Sequence, residues 1–148
     1  MAKVDWVILC ERALIEERAG TMSMVALVEN VTVPAPPLEI AKQLFGVPYR
    51  FYVVTQWVRA KPKIGERVPA RTILKAPHGK KFGLAEYTVD LTVNSKVRLI
   101  TQSGGFPLAG PGVYSCLVQA KRGASWHTVG QTEFNVIYAP SVIKATRH

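Results

Sequence analysis

AEYTVDLTVN, residues 85–94, alternates along its whole length. Ala85, Tyr87, Val89, Leu91 and Val93 occupy the odd positions, and Glu86, Thr88, Asp90, Thr92 and Asn94 the even ones. Successive side chains of a strand point to opposite faces, so this period of two describes a strand with one dry face and one wet face. A helix would instead repeat its apolar residues every three to four positions.

Working outward, the same pattern recurs. Val4–Cys10 puts Val4, Trp6, Ile8 and Cys10 on one face, and polar residues 11–18 then read as a loop or ragged helical turn. Met22–Val33 is apolar on both faces over its middle, as expected of one long central strand. Tyr49–Ala60, Arg67–Lys75, Val97–Gln102, Val113–Ala120 and Thr128–Tyr138 are further strands. The last two pair as a hairpin across Lys121–Ser125. Pro69 inside Arg67–Lys75 marks an edge strand or a bulge. Ala76-Pro77-His78-Gly79 is a turn, because proline presets one turn position and glycine accepts positive φ. The helix candidate is Leu38–Phe45, preceded by Pro37 and followed by Gly46.

About eight strands in 148 residues fit one domain, residues 1–140, followed by a loose tail, 141–148. The expected fold is all-β: an antiparallel two-sheet sandwich, immunoglobulin-like or Greek-key, with one short helix. The N-terminal apolar run is short and interrupted by Asp5, unlike a secretion signal. No stretch approaches the roughly 18 apolar residues of a membrane-spanning helix. A soluble, cytoplasmic protein without membrane contacts is expected, with Cys10 and Cys116 as reduced, buried thiols.

The net charge of +9 is unevenly placed. Residues 1–40 carry three bases against six acids, whereas residues 59–81 carry eight bases against Glu66 alone. Lys61, Lys63, Arg67, Arg71, Lys75, Lys80 and Lys81 are therefore the candidate polyanion-binding residues. Solvated hairpin ends are the competing reading and the favoured one, since nucleic-acid surfaces usually interleave stacking aromatics with their bases. The aromatics before this block, Tyr49, Tyr52 and Trp57, alternate along a strand and read as core.

No catalytic, metal or cofactor site is expected. His78, His127 and His148 have no second ligand at metal spacing, and no CxxC pair exists. Ser103-Gly104-Gly105 lacks the lysine and helix of a phosphate loop. Glu86 and Asp90 share the wet face of their strand. Trp126 is either an exposed aromatic on a hairpin tip or a ring folded over the sheet end. In Gly112-Val113-Tyr114-Ser115-Cys116, a tyrosine two residues before a cysteine suits the corner hydrogen bond of immunoglobulin-type sandwiches. The cysteine does not suit the antibody pattern, because Cys10 lies too far upstream to be its partner.

Five stretches together give the chain a resemblance: residues 20–31, residues 48–59, TILKAPHGK at 72–80, GVYSCLV at 112–118, and residues 134–136. It resembles a family of small, uncharacterised bacterial β-sandwich proteins. That resemblance implies a sandwich fold and no known activity, and it assigns no site residues. The expected function is a non-enzymatic interaction or structural module that binds a protein partner or itself. A strand-addition edge at Arg67–Lys75 is the candidate contact. Binding of nucleic acid or another polyanion by the basic region is the alternative.

Overall fold

A computed structural model describes residues 1–16, 21–36 and 45–139. Its strands are β1 (Lys3–Glu16), β2 (Thr21–Leu27), β3 (Asn30–Pro34), β4 (Phe45–Val47), β5 (Phe51–Val58) and β6 (Arg67–Lys75). They continue with β7 (Lys81–Asp90), β8 (Lys96–Ser103), β9 (Phe106–Leu108), β10 (Gly112–Arg122) and β11 (Ser125–Ala139). The chain is all-β over the described residues, with eleven strands there rather than about eight. The helix expected at Leu38–Phe45 falls on residues 37–44, outside the described residues, except that Phe45 and Gly46 belong to β4. The tail expected at 141–148 also lies outside them.

Sheet A has the order β2-β1-β5-β8 and is antiparallel throughout. Sheet B has the order β3-β11-β10-β6-β7. It is mixed rather than purely antiparallel, because β3 runs parallel to β11. A small β4-β9 pair stands beside them.

The alternation of residues 85–91 works as expected: Val89 and Leu91 are fully buried, while Glu86, Thr88 and Asp90 are exposed. It fails at Val93, which lies past the strand end and is 86% exposed. Met22–Val33 is two strands, not one central strand. Ala26 adopts φ 57°, Val28 bonds back to the Leu9 carbonyl, and the chain then crosses from the edge of sheet A to the edge of sheet B. Val25 and Leu27 are consequently exposed, while Val31 and Val33 are buried. Residues 11–16 continue β1 instead of forming a loop. A register shift between Val4 and Trp6 turns Val4 toward the core and leaves Trp6, Ile8 and Cys10 on the opposite face.

The sheets face each other across two apolar clusters. One joins Leu9, Phe51 and Val53 of sheet A to Val31, Leu74, Tyr114, Phe134 and Val136 of sheet B. The other joins Trp57 to Val68, Ala70, Val89, Val118 and Ala120. Trp57 is fully buried, and its indole N–H donates to Thr55 Oγ1 at 3.0 Å, so the burial leaves no orphan donor. Gly130 of β11 lets the layers approach: a Cβ there would lie 2.8 Å from Val7 Cγ2 and 2.9 Å from Val4 Cγ1. The β10–β11 turn contracts to Gly123-Ala124, tighter than the expected Lys121–Ser125. Gly123 has φ 60°, as the first position of a two-residue hairpin turn requires.

Candidate functional site

The expected peptide-accepting edge at Arg67–Lys75 does not exist. Strand β6 is flanked by β10 on one side and β7 on the other, so its backbone groups are already used. Pro69 is accommodated because pairing with β10 stops at Ala70, leaving the proline just past that ladder.

The basic residues are divided rather than gathered. Arg59 belongs to the scaffold: its guanidinium donates to the carbonyls of Leu91, Pro62 and Thr92 at 2.6–2.8 Å, clasping the loop after β5 to the loop after β7. Lys61 and Lys63 lie exposed in that first loop, near Arg67 at the start of β6. Arg67 faces Asp90 at 3.4 Å, both exposed, so solvent screens the pair and it adds little to stability. Lys75, Lys80 and Lys81 are exposed around the opposite end of the β6–β7 hairpin. Eight residues of strand at ~3.3 Å each put roughly 26 Å between Arg67 and Lys75. His78 is exposed in that turn and His127 is exposed at the start of β11.

Arg71 sits midway and has a different role. Its Nε donates to Gln119 Oε1 at 2.8 Å, and its guanidinium carbon stands 4.3 Å above the Trp126 ring. Gln119 passes a further hydrogen bond to Thr128, and Lys121 Nζ lies 5.8 Å from the same ring. Trp126 thus lies half-buried on the outer face of sheet B, with two cations over its ring. A depression of about 500 Å³ lies beside it, lined by Arg71, Ile73, Lys81, Gly83, Leu84 and Glu86 among others.

Two features of sheet A were not legible from spacing. The first is an arm. Strand β1 pairs with β5 only as far as Cys10–Tyr52, and beyond that point, among the described residues, it pairs with β2 alone. Leu14 (64% exposed), Val25 (52%) and Leu27 (59%) are its bare apolar residues. Tyr49 donates to Glu11 at 2.6 Å at the root of the arm. Burial, then the hydrogen bond to Glu11 and its charge, push the Tyr49 hydroxyl up to about 12.

The second is the outer face of sheet A, crossed by two rungs. Ile8, Val54 and Ile100 are opposite one another on β1, β5 and β8. Beside them Arg98 donates to Gln56, which donates to Asp5, both at 3.0 Å. Val54 is fully buried although it faces away from sheet B. Along the flank, a groove of about 330 Å³ runs between β7 and β8, lined by residues 85–88 and 99–102.

Cys10 and Cys116 are free and buried, on different sheets. Burial pushes the Cys116 thiol up to about 12. Burial also raises that of Cys10, partly offset by a backbone hydrogen bond from Arg12. Among the described residues no group of three or more His, Cys, Asp or Glu side chains is placed to hold a metal ion. Also among them, no helix is long and apolar enough to cross a membrane.

No protein-family model matches the chain, and no curated protein matches it. Among solved structures it is similar to the Pseudomonas fluorescens alkylpurine DNA glycosylase AlkC bound to DNA containing an abasic site analog. The TM-score is 0.44 at 9% identity, over 88% of this chain and 30% of that one.

Proposed function

We propose that the protein is a non-enzymatic interaction module built on an immunoglobulin-like β-sandwich. Three features support the fold. Strand β5 lies between β1 and β8 in one sheet, while β10 lies between β6 and β11 in the other. Strand β3 runs parallel to the last strand. Tyr114, two residues before Cys116, has its hydroxyl donating to the Gly110 carbonyl at 2.7 Å and accepting from the Ala109 N–H at 2.8 Å. These bonds match the corner hydrogen bond expected of immunoglobulin-type domains, and the neighbouring cysteine is a free thiol.

The observation that carries the interaction reading is the β1–β2 arm. Leu14, Val25 and Leu27 are each more than half exposed on a hairpin extending past the last residue of β5 to pair with β1. A two-stranded ribbon buries little of its own apolar surface, and clustered bare apolar residues mark contact surfaces. A protein partner or a second copy of the chain is the occupant this reading proposes. The polyanion alternative has weaker support, because six of the seven candidate bases are split between the two ends of β6 and the seventh, Arg71, midway along it, is engaged with Gln119 and Trp126.

Light-scattering mass measurements on the purified chain, alone and in cell extract, test the reading. The wild type is expected above its 16.3 kDa monomer mass in one of the two conditions. A Leu14→Lys, Val25→Lys double variant should lose whatever contact the arm makes. A wild type that is monomeric in both conditions sinks the proposal. Retention of DNA on a filter, falling steeply with salt, would favour the polyanion alternative.

A further inference from the structure

The four outer strands of the two sheets differ in how they are protected from pairing. Strand β2 is interrupted by Ala26 at φ 57°, and its ladder with β1 skips the position between Leu27 and Val25. Strand β3 has five residues and ends at Pro34. Strand β7 carries a register shift where it passes β6 between Thr72 and Ile73. These are the ordinary devices that stop sheets from growing edge to edge. Strand β8 has none of these backbone breaks, and its charged residues are Lys96 and Arg98 alone. Its eight residues, Lys96–Ser103, pair with β5 at every position from Ser103–Phe51 to Lys96–Val58, without bulge, proline or glycine. Among the described residues nothing pairs with its other side.

We infer that β8 is a self-pairing edge. Two copies of the chain join antiparallel, β8 against β8, about a two-fold axis at Ile100, so that sheet A continues from one copy into the next. This rests on the reading of the chain as an interaction module and names a second copy as the partner, at the edge of sheet A opposite the arm.

The register follows from the side chains. Residues directly opposite in an antiparallel pair share a face, so the axis must pass through a residue. At Ile100 it sets Ile100 against the partner's Ile100. The apolar rung Ile8–Val54–Ile100 then runs unbroken into its own copy. Arg98 meets the partner's Gln102, and Lys96 lies past the partner's Ser103. On the inner face Leu99 meets the partner's Thr101, and Val97 the partner's Ser103. No like charges are opposed. The strand's two bases lie in its first half and its neutral polar residues in its second. Antiparallel self-pairing is therefore electrostatically permitted, and parallel self-pairing is not. The groove along residues 85–88 and 99–102 lies on this flank and is covered when the edges meet. A closed two-fold of this kind ends at a dimer rather than a fibre.

Sedimentation velocity on the full chain over a hundredfold concentration range is the test, with two variants. The wild type should reach twice 16.3 kDa. Ile100→Lys places like charges on the axis and should weaken the dimer by roughly tenfold or more. Ile100→Cys should form an intermolecular disulfide on mild oxidation much faster than Val93→Cys, an exposed thiol off the proposed contact, whereas the wild type should form none, since both native thiols are buried. If Ile100→Lys fails to fold, the cross-link decides. A wild type monomeric throughout overturns the inference but leaves the arm free to bind another protein. A dimer that survives Ile100→Lys yet is lost in Leu14→Lys, Val25→Lys also overturns it, while the interaction reading stands.

Discussion

The Tyr114 end of the molecule and the β1–β2 arm are built from the same kind of alternating strand and reach opposite outcomes. Around Tyr114, the rings of Phe106 and Phe134 lie with centroids 5.4–5.6 Å apart from it and from each other. Phe51 reaches in from the facing sheet, 6.2 Å from Phe134. Each apolar residue there has a second layer to bury against. In the arm, Leu14 and Val25 have, among the described residues, the neighbouring strand alone, and both are more than half exposed. Alternation therefore creates an apolar face, but a layer opposite is what turns that face into core.

That contrast can be broken at either end. Phe134→Ala removes the ring shared by three aromatic contacts and should cost about 3–5 kcal/mol in denaturant unfolding. A loss below ~1 kcal/mol would mean that the cluster is not packed as described. Tyr114→Phe keeps the ring and deletes both hydroxyl bonds, stranding the Ala109 N–H and the Gly110 carbonyl. The expected loss is about 1–3 kcal/mol by the same measurement.

Cys116 gives a pH signature of the same core. Its folded pKa, about 12, lies above the ordinary thiol value, so the neutral thiol contributes its full stability below the unfolded pKa. As pH rises from about 9 toward 12, unfolded chains ionise first, and stability should fall by up to about 1.4 kcal/mol per pH unit. Cys116→Ala should show a shallower alkaline limb in thermal unfolding. Equal limbs would place the thiol in contact with water.

The arm should answer in the opposite way. Leu14→Lys alters an exposed residue and should move unfolding stability by less than about 0.5 kcal/mol. Arg67→Ala, which removes an exposed, solvent-screened ion pair with Asp90, should leave the unfolding midpoint where it is in the wild type. A large loss from Leu14→Lys would show the arm to be folded against something that stabilises it, and the contrast would need redrawing.

Strand identity was legible where periodicity ran clean. Residues 85–91 show it, and so does the β10–β11 hairpin with its turn glycine. It was not legible where the backbone changes direction without changing composition. Val25, Leu27, Val31 and Val33 form one apolar series in sequence, yet Ala26 and the Val28 bond to Leu9 divide them between an exposed and a buried setting. The shift after Val4 moved Trp6 and Ile8 to the outer face for a similar reason: one extra residue inverts every side chain beyond it. Among the site residues, the cation-rich block was visible as composition, but its division between two strand ends was not. The pairing of Arg71 with Trp126 joins positions 55 residues apart and leaves no local trace.

The order of polar and apolar residues settled by itself that this chain makes strands, where several of its turns fall, and that one stretch is strongly basic, because these are properties of neighbours along the backbone. Which strands lie at the edges, which apolar faces stay bare and which charges meet belong to the tertiary structure alone. They depend on partners brought together from distant parts of the chain, and no local pattern records those partners.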